Sequence, residues 1–125
     1  MQKLYFEAAW ERTIAQNDRE KIIKIFEKVQ PTLSSGVHFT FLWAAKNHEN
    51  ETLITTLIHN VRPHVLQLTN TIVTYKVNTE VQYKDKFDVK EPIPANSSMP
   101  WTFIFSQHET INEAPDYVIS VNNKS

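Results

Sequence analysis

Two periodicities divide the chain. Between residues 10 and 29, Ile22, Ile25, Phe26 and Val29 recur at helical spacing, and Lys21, Lys24, Glu27 and Lys28 fall outside that stripe. Asn17-Asp18-Arg19-Glu20 has the form of a capping box, with the Asn17 side chain set to accept a backbone N–H and Glu20 set to reach back. Pro31 stops the helix. A lone amphipathic helix of this length is marginal in water, so its apolar stripe must dock on something.

After Gly36 the period changes to two. Val37, Phe39, Phe41 and Trp43 alternate with His38, Thr40 and Leu42, which predicts a strand with one strongly apolar face. Polar Asn47-His48-Glu49-Asn50-Glu51 reads as a hairpin loop, and Leu53 to Val61 suits a more central strand covered on both sides. Arg62-Pro63 interrupts, and short strands are expected near His64 to Leu68, Ile72 to Val77 and Val81 to Val89. Pro92 and Pro94 argue against regular pairing there. Met99, Trp101, Phe103 and Phe105 alternate again, and Tyr117, Ile119 and Val121 share a face on a last strand.

About seven short strands behind one N-terminal helix predict a mostly β fold, an antiparallel sandwich of immunoglobulin-like type. No helical pattern alternates with the strands, which disfavours a doubly wound α/β fold. The expected organisation is a single domain over 1–125, with a helical segment at about 10–30 and a sandwich at about 36–121.

Composition narrows the chemistry. Gly36 is the only glycine, where average usage of about 7% would give roughly nine. Phosphate loops, dinucleotide-binding turns and nucleophile elbows need glycine, so those enzyme scaffolds are excluded. Turns must use Asn, Asp, Ser and Pro instead. The absence of cysteine excludes disulfides, thiol catalysis and cysteine-based zinc sites. A formal net charge of −1 with no Lys/Arg cluster disfavours nucleic acid as a partner. No stretch approaches the roughly 20 apolar residues of a transmembrane helix, and the N-terminus has no export signal, so a cytoplasmic location is expected.

Candidate chemistry is sparse. The histidines His38, His48, His59, His64 and His108 show no zinc-protease spacing, and no carboxylate pair stands out, so neither metal nor cofactor nor catalytic residue is assigned. Phe39, Phe41, Trp43, Trp101, Phe103 and Phe105 read as two facing walls of a sandwich core. Trp10 reads as an anchor pinning the N-terminal segment to the sandwich.

Taken in order, Trp10, Asn17-Asp18-Arg19-Glu20, Gly36, Ile58-His59-Asn60-Val61-Arg62, Lys86-Phe87-Asp88-Val89, Ile93-Pro94 and Met99-Pro100-Trp101-Thr102-Phe103-Ile104-Phe105 resemble the SLAP domain of Bacillus-type Firmicutes. The resemblance runs over residues 8 to 106 and is sharpest at the Pro100-Trp101-Thr102-Phe103 strand. It implies a non-enzymatic accessory role in export or assembly of S-layer and other surface proteins, with a protein client or Sec-type component as partner. Membrane association would then be peripheral, through partners. The docking surface is expected around His59, Arg62 and His64, where Arg62-Pro63 breaks the strand pairing. The alternative is a sandwich that binds a small ligand or a metal through converging histidines.

Overall fold

The computed structural model describes residues 2–106 and 117–121, with the side chains of Tyr117 and Val121 excepted. Helices come first. α1 (Ala8–Thr13) is capped by Glu7, whose carboxylate accepts from the backbone N–H groups of Ala9 at 2.8 Å and Trp10 at 3.1 Å. α2 (Gln16–Val29) follows after Ile14-Ala15 and passes into a 3-10 turn at Gln30–Thr32 that holds Pro31. The expected single helix is therefore two. The capping box does not form, because Ala15 is the N-cap and Asn17 lies one residue inside the helix.

The strands are β1 (Lys3–Leu4), β2 (Gly36–Lys46), β3 (Thr52–Val61), β4 (Leu66–Val77), β5 (Glu80–Ile93), β6 (Ser97–Phe105) and β7 (Tyr117–Val121). They form a four-stranded sheet in the order β1-β6-β3-β2 and a three-stranded sheet in the order β5-β4-β7. Both sheets are mixed. β1 runs parallel to β6 and β7 parallel to β4, which corrects the wholly antiparallel expectation. Neither strand reaches its neighbour through a hairpin, and a hairpin is what forces antiparallel pairing.

The inner faces of the two sheets enclose one core. Ile54, Ile58, Met99, Phe103 and Phe105 of the first sheet meet Leu66, Leu68, Val73, Tyr75, Val89 and Ile93 of the second. Phe39, Phe41, Phe103 and Phe105 belong to one sheet, so they form one wall rather than two. The ring of Phe87 on β5 bridges to it edge-on, 4.9 Å from Phe103 and 5.0 Å from Phe105.

A second apolar layer lies on the outer face of the first sheet. Ile22 of α2 is buried against Leu42 and Leu57, with Trp10, Ile14, Ile25, Phe26 and Trp43 around them. This is where the amphipathic stripe docks. Trp43 reaches this layer through a bulge, since the register shifts between Phe41 and Trp43 and leaves Leu42 as the extra residue. The strict alternation expected over Val37 to Trp43 holds as far as Phe41 and then inverts.

Asparagine serves the turns that glycine would otherwise occupy. Asn50, Asn70, Asn78 and Asn96 all have positive φ, between 51° and 62°. β4 and β5 each run on where a break was expected. β4 continues past Asn70 through an irregularity, and β5 continues through Pro92, which a strand hydrogen-bonded on one side tolerates.

Candidate functional site

The three residues expected to share a docking surface do not do so. His59 is 0% exposed on β3, the strand that lies between β2 and β6, so no partner can touch it. Its Nδ1 is 2.6 Å from Ser98 Oγ and its Nε2 is 2.7 Å from Thr40 Oγ1, a hydrogen-bonded line across three strands. Burial, with a smaller contribution from nearby His38, lowers its pKa from 6.5 to about 4, so the ring is neutral. Gln2 closes the line by donating to Ser98 Oγ at 3.1 Å. A Ser–His pair of this kind resembles an activated nucleophile, but Ser98 is also 0% exposed, and the pair is a sealed core network.

Arg62 and His64 lie in the loop after β3, half-buried and exposed respectively. Asn60 holds that loop. Its side-chain amide donates to the carbonyls of His64 at 2.9 Å, Pro94 at 3.0 Å and Ile93 at 3.1 Å, tying the β3–β4 and β5–β6 connections together. The two loops are thus tied to each other, and β3 beside them is paired on both sides.

The concave surface lies at the other end of the same sheet. A groove of about 530 Å³ opens where α1 and the start of α2 stop short of covering the strands. Its floor is two cross-strand rows. Trp43, Thr55 and Thr102 stand in register on β2, β3 and β6, and Ala45 and Leu53 form the next row. Ile104 pairs with Leu53 and extends that second row towards the sheet edge, 45% exposed. Thr55 and Thr102 share a hydroxyl hydrogen bond of 2.8 Å, so the floor's polar atoms are already satisfied.

The wall comes from the helices, chiefly Trp10, Thr13 and Ile14, with Asp18 as the only charged lining residue among those described. Arg19 locks this wall in place. Its guanidinium bonds Glu11 of α1 at 2.6 Å and lies 4.5 Å from the Phe6 ring centre. On the far side, Lys21 Nζ lies 5.1 Å from the ring centre of Trp43. A floor of apolar side chains and mutually paired hydroxyls, with a tryptophan at each side, suits non-covalent recognition of an apolar group.

Sequence reasoning placed Trp10 at the sandwich and missed the groove. One signal was available. Ile104 sits between Phe103 and Phe105 where alternation calls for a polar residue, and an apolar residue at an outward position marks a surface that is covered or used. Gly36 starts β2 at φ +114°, and Pro100, Trp101 and Phe103 all lie on β6. Among the described residues no group of three or more His, Asp or Glu comes together, and His108 lies outside them.

The family model of the SLAP domain matches residues 4–120, from β1 through both helices and both sheets into β7. The chain belongs to the SLAP-domain family. That membership makes it a surface- or S-layer-associated domain. No curated protein and no solved structure matches it significantly. Among the described residues of this SLAP domain, no helix is long and apolar enough to cross a membrane.

Proposed function

We propose that this SLAP domain is a non-enzymatic, cytoplasmic protein-interaction module, an accessory factor in export or assembly of surface proteins through an accessory Sec route. The carrying observation is the Trp10–Trp43 groove, a concavity flanked by two tryptophans whose floor hydroxyls are already paired with each other. Membership of the SLAP-domain family supplies the surface-protein context. A site so poor in titratable groups favours binding over chemistry, since general acid–base work needs a positioned proton carrier.

The test is crosslinked affinity recovery of the tagged chain from its native host, compared with Ala45→Glu. Ala45 is exposed on the groove floor, so the substitution adds a charge there without disturbing the core. Sec-type components or surface-protein precursors are expected with the native chain, reduced by about tenfold for the variant. Recovery of neither class, or equal recovery by the variant, overturns the reading.

A small apolar ligand is the second reading, favoured by the groove's volume, which falls in the range of ligand pockets. A thermal shift of the native chain with an apolar compound, lost in Ala45→Glu, would decide for it.

A further inference from the structure

Two edges of the sheets differ in character: that of β5 and that of β6 beyond the short β1. β5 is studded with charge and closed by proline, through Lys84, Asp85, Lys86, Asp88, Lys90 and Pro92. That is how a strand is protected from pairing with other chains. β6 carries no charge anywhere from Ser97 to Ser106. Among the described residues its outer edge is partnered only by the two residues of β1, at Ser97 and Ser98.

The direction of the unpaired groups follows from β1. Lys3 N–H donates to Asn96 O at 2.9 Å and Tyr5 N–H donates to Ser98 O at 2.8 Å. Carbonyls alternate along a strand, so those of Pro100, Thr102 and Ile104 face the same edge. Pro100 fits there, since the N–H it lacks would also have pointed outward. Beyond it, the N–H and C=O groups of Thr102 and Ile104 have no backbone partner among the described residues. Their side chains lie on the groove side of the sheet, where Thr102 lines the floor and Ile104 is exposed.

We propose that the β6 edge from Thr102 to Ser106 takes an extended, uncharged segment of a partner polypeptide as an added strand, continuing the line that β1 leaves at Tyr5. Main-chain bonds to Thr102 and Ile104 supply the pairing, and apolar side chains at alternate positions pack on Ile104 beside the groove. The chain's own residues Lys3 and Leu4 already pair with this edge, so β6 is competent to accept a strand. A charged segment would lose by setting unpaired charge on Ile104. The inference rests on the proposed protein-interaction role and specifies its mode.

The probes are two synthetic peptides of about ten residues, a length that spans a short strand with free ends. One alternates threonine and valine between terminal lysines, and the other has aspartate in place of valine. Binding is followed by calorimetry, and amide exchange is read at Thr102 and Ile104 in the full chain. The valine peptide is expected to bind and to slow exchange at both amides by at least about tenfold, while the aspartate peptide does neither.

Two variants tie the binding to the edge. Thr102→Pro removes an outward N–H, and Ile104→Lys places a charge on the edge; each should weaken binding by about tenfold or more. Ile104 is exposed, so Ile104→Lys should fold normally even if Thr102→Pro does not. The proposal is overturned by absent binding, by equal binding of the aspartate peptide, by protection elsewhere, or by native affinity in Ile104→Lys. A native dimer that Ile104→Lys dissociates would also overturn it, assigning the edge to a second copy. Peptide binding at the edge without recovery of export components removes the pathway and keeps the edge. Recovery of those components that is unaffected by Ile104→Lys does the reverse.

Discussion

Phe41 and Trp43 are two residues apart on one strand and face opposite sides of the sheet. Phe41 stacks on Tyr75 of the opposing sheet with ring centres 6.1 Å apart, while Trp43 packs with Ile22 and Leu57 under the helices. The bulge at Leu42 separates them. It lets one strand contribute an aromatic residue to each apolar layer and sets one side of the groove.

Trp43→Ala is expected to destabilise the fold by about 2 to 3 kcal/mol, below the cost of a fully buried tryptophan because Trp43 is half-buried. Deleting Leu42 should cost more, because it takes a buried leucine out of the outer apolar layer even though Trp43 stays opposite Thr55 on the helix side. Urea melts of the two variants check the order.

His59 should give the fold an acid-sensitive stability. The unfolded chain binds a proton near pH 6.5, whereas the folded ring stays neutral down to about 4. Between those values the unfolded state holds more protons, so stability falls as pH drops from 6.5 to 4 and this contribution levels off below. The slope is about 1.4 kcal/mol per pH unit, on the order of 3 kcal/mol in all. Denaturant melts across that window, compared with His59→Gln, measure it. A native chain with the same pH profile as the variant would falsify the assignment.

Asn60 is expected to be among the most sensitive polar positions. Asn60→Ala removes the donor from three carbonyls and should cost about 2 to 4 kcal/mol. Asn60→Asp should be worse at neutral pH, because a carboxylate would face those same carbonyls, and should recover partly when acid protonates it. Melts at two pH values separate the variants.

Backbone conformation, not space, makes Gly36 difficult to replace. A Cβ there would meet nothing nearer than His38 Nε2 at 3.9 Å, yet φ is +114°. Gly36→Ala should therefore cost about 1 to 3 kcal/mol. Asn96, at φ 51°, should by contrast accept glycine with little loss and lose roughly 1 kcal/mol as alanine. Thermal melts of the three variants test the pattern.

Local pattern by itself determined where α2 and most of the strands lie. The stripe Ile22, Ile25, Phe26 and Val29 specified a helix with a face to bury, and period-two alternation specified most strands, because side-chain direction within an element follows from its backbone repeat. The lone glycine called for turns built on Asn, Asp, Ser and Pro, and asparagine takes four left-handed positions for the same local reason. Which sheet each strand joins, the parallel placement of β1 and β7, and the burial of His59 were decided only by the tertiary structure. These depend on contacts between residues far apart in the chain, such as Gln2 with Ser98 and Asn60 with Pro94, and no local periodicity encodes them. The groove arises in the same way, where helices from one end of the chain leave uncovered a row of side chains drawn from three strands.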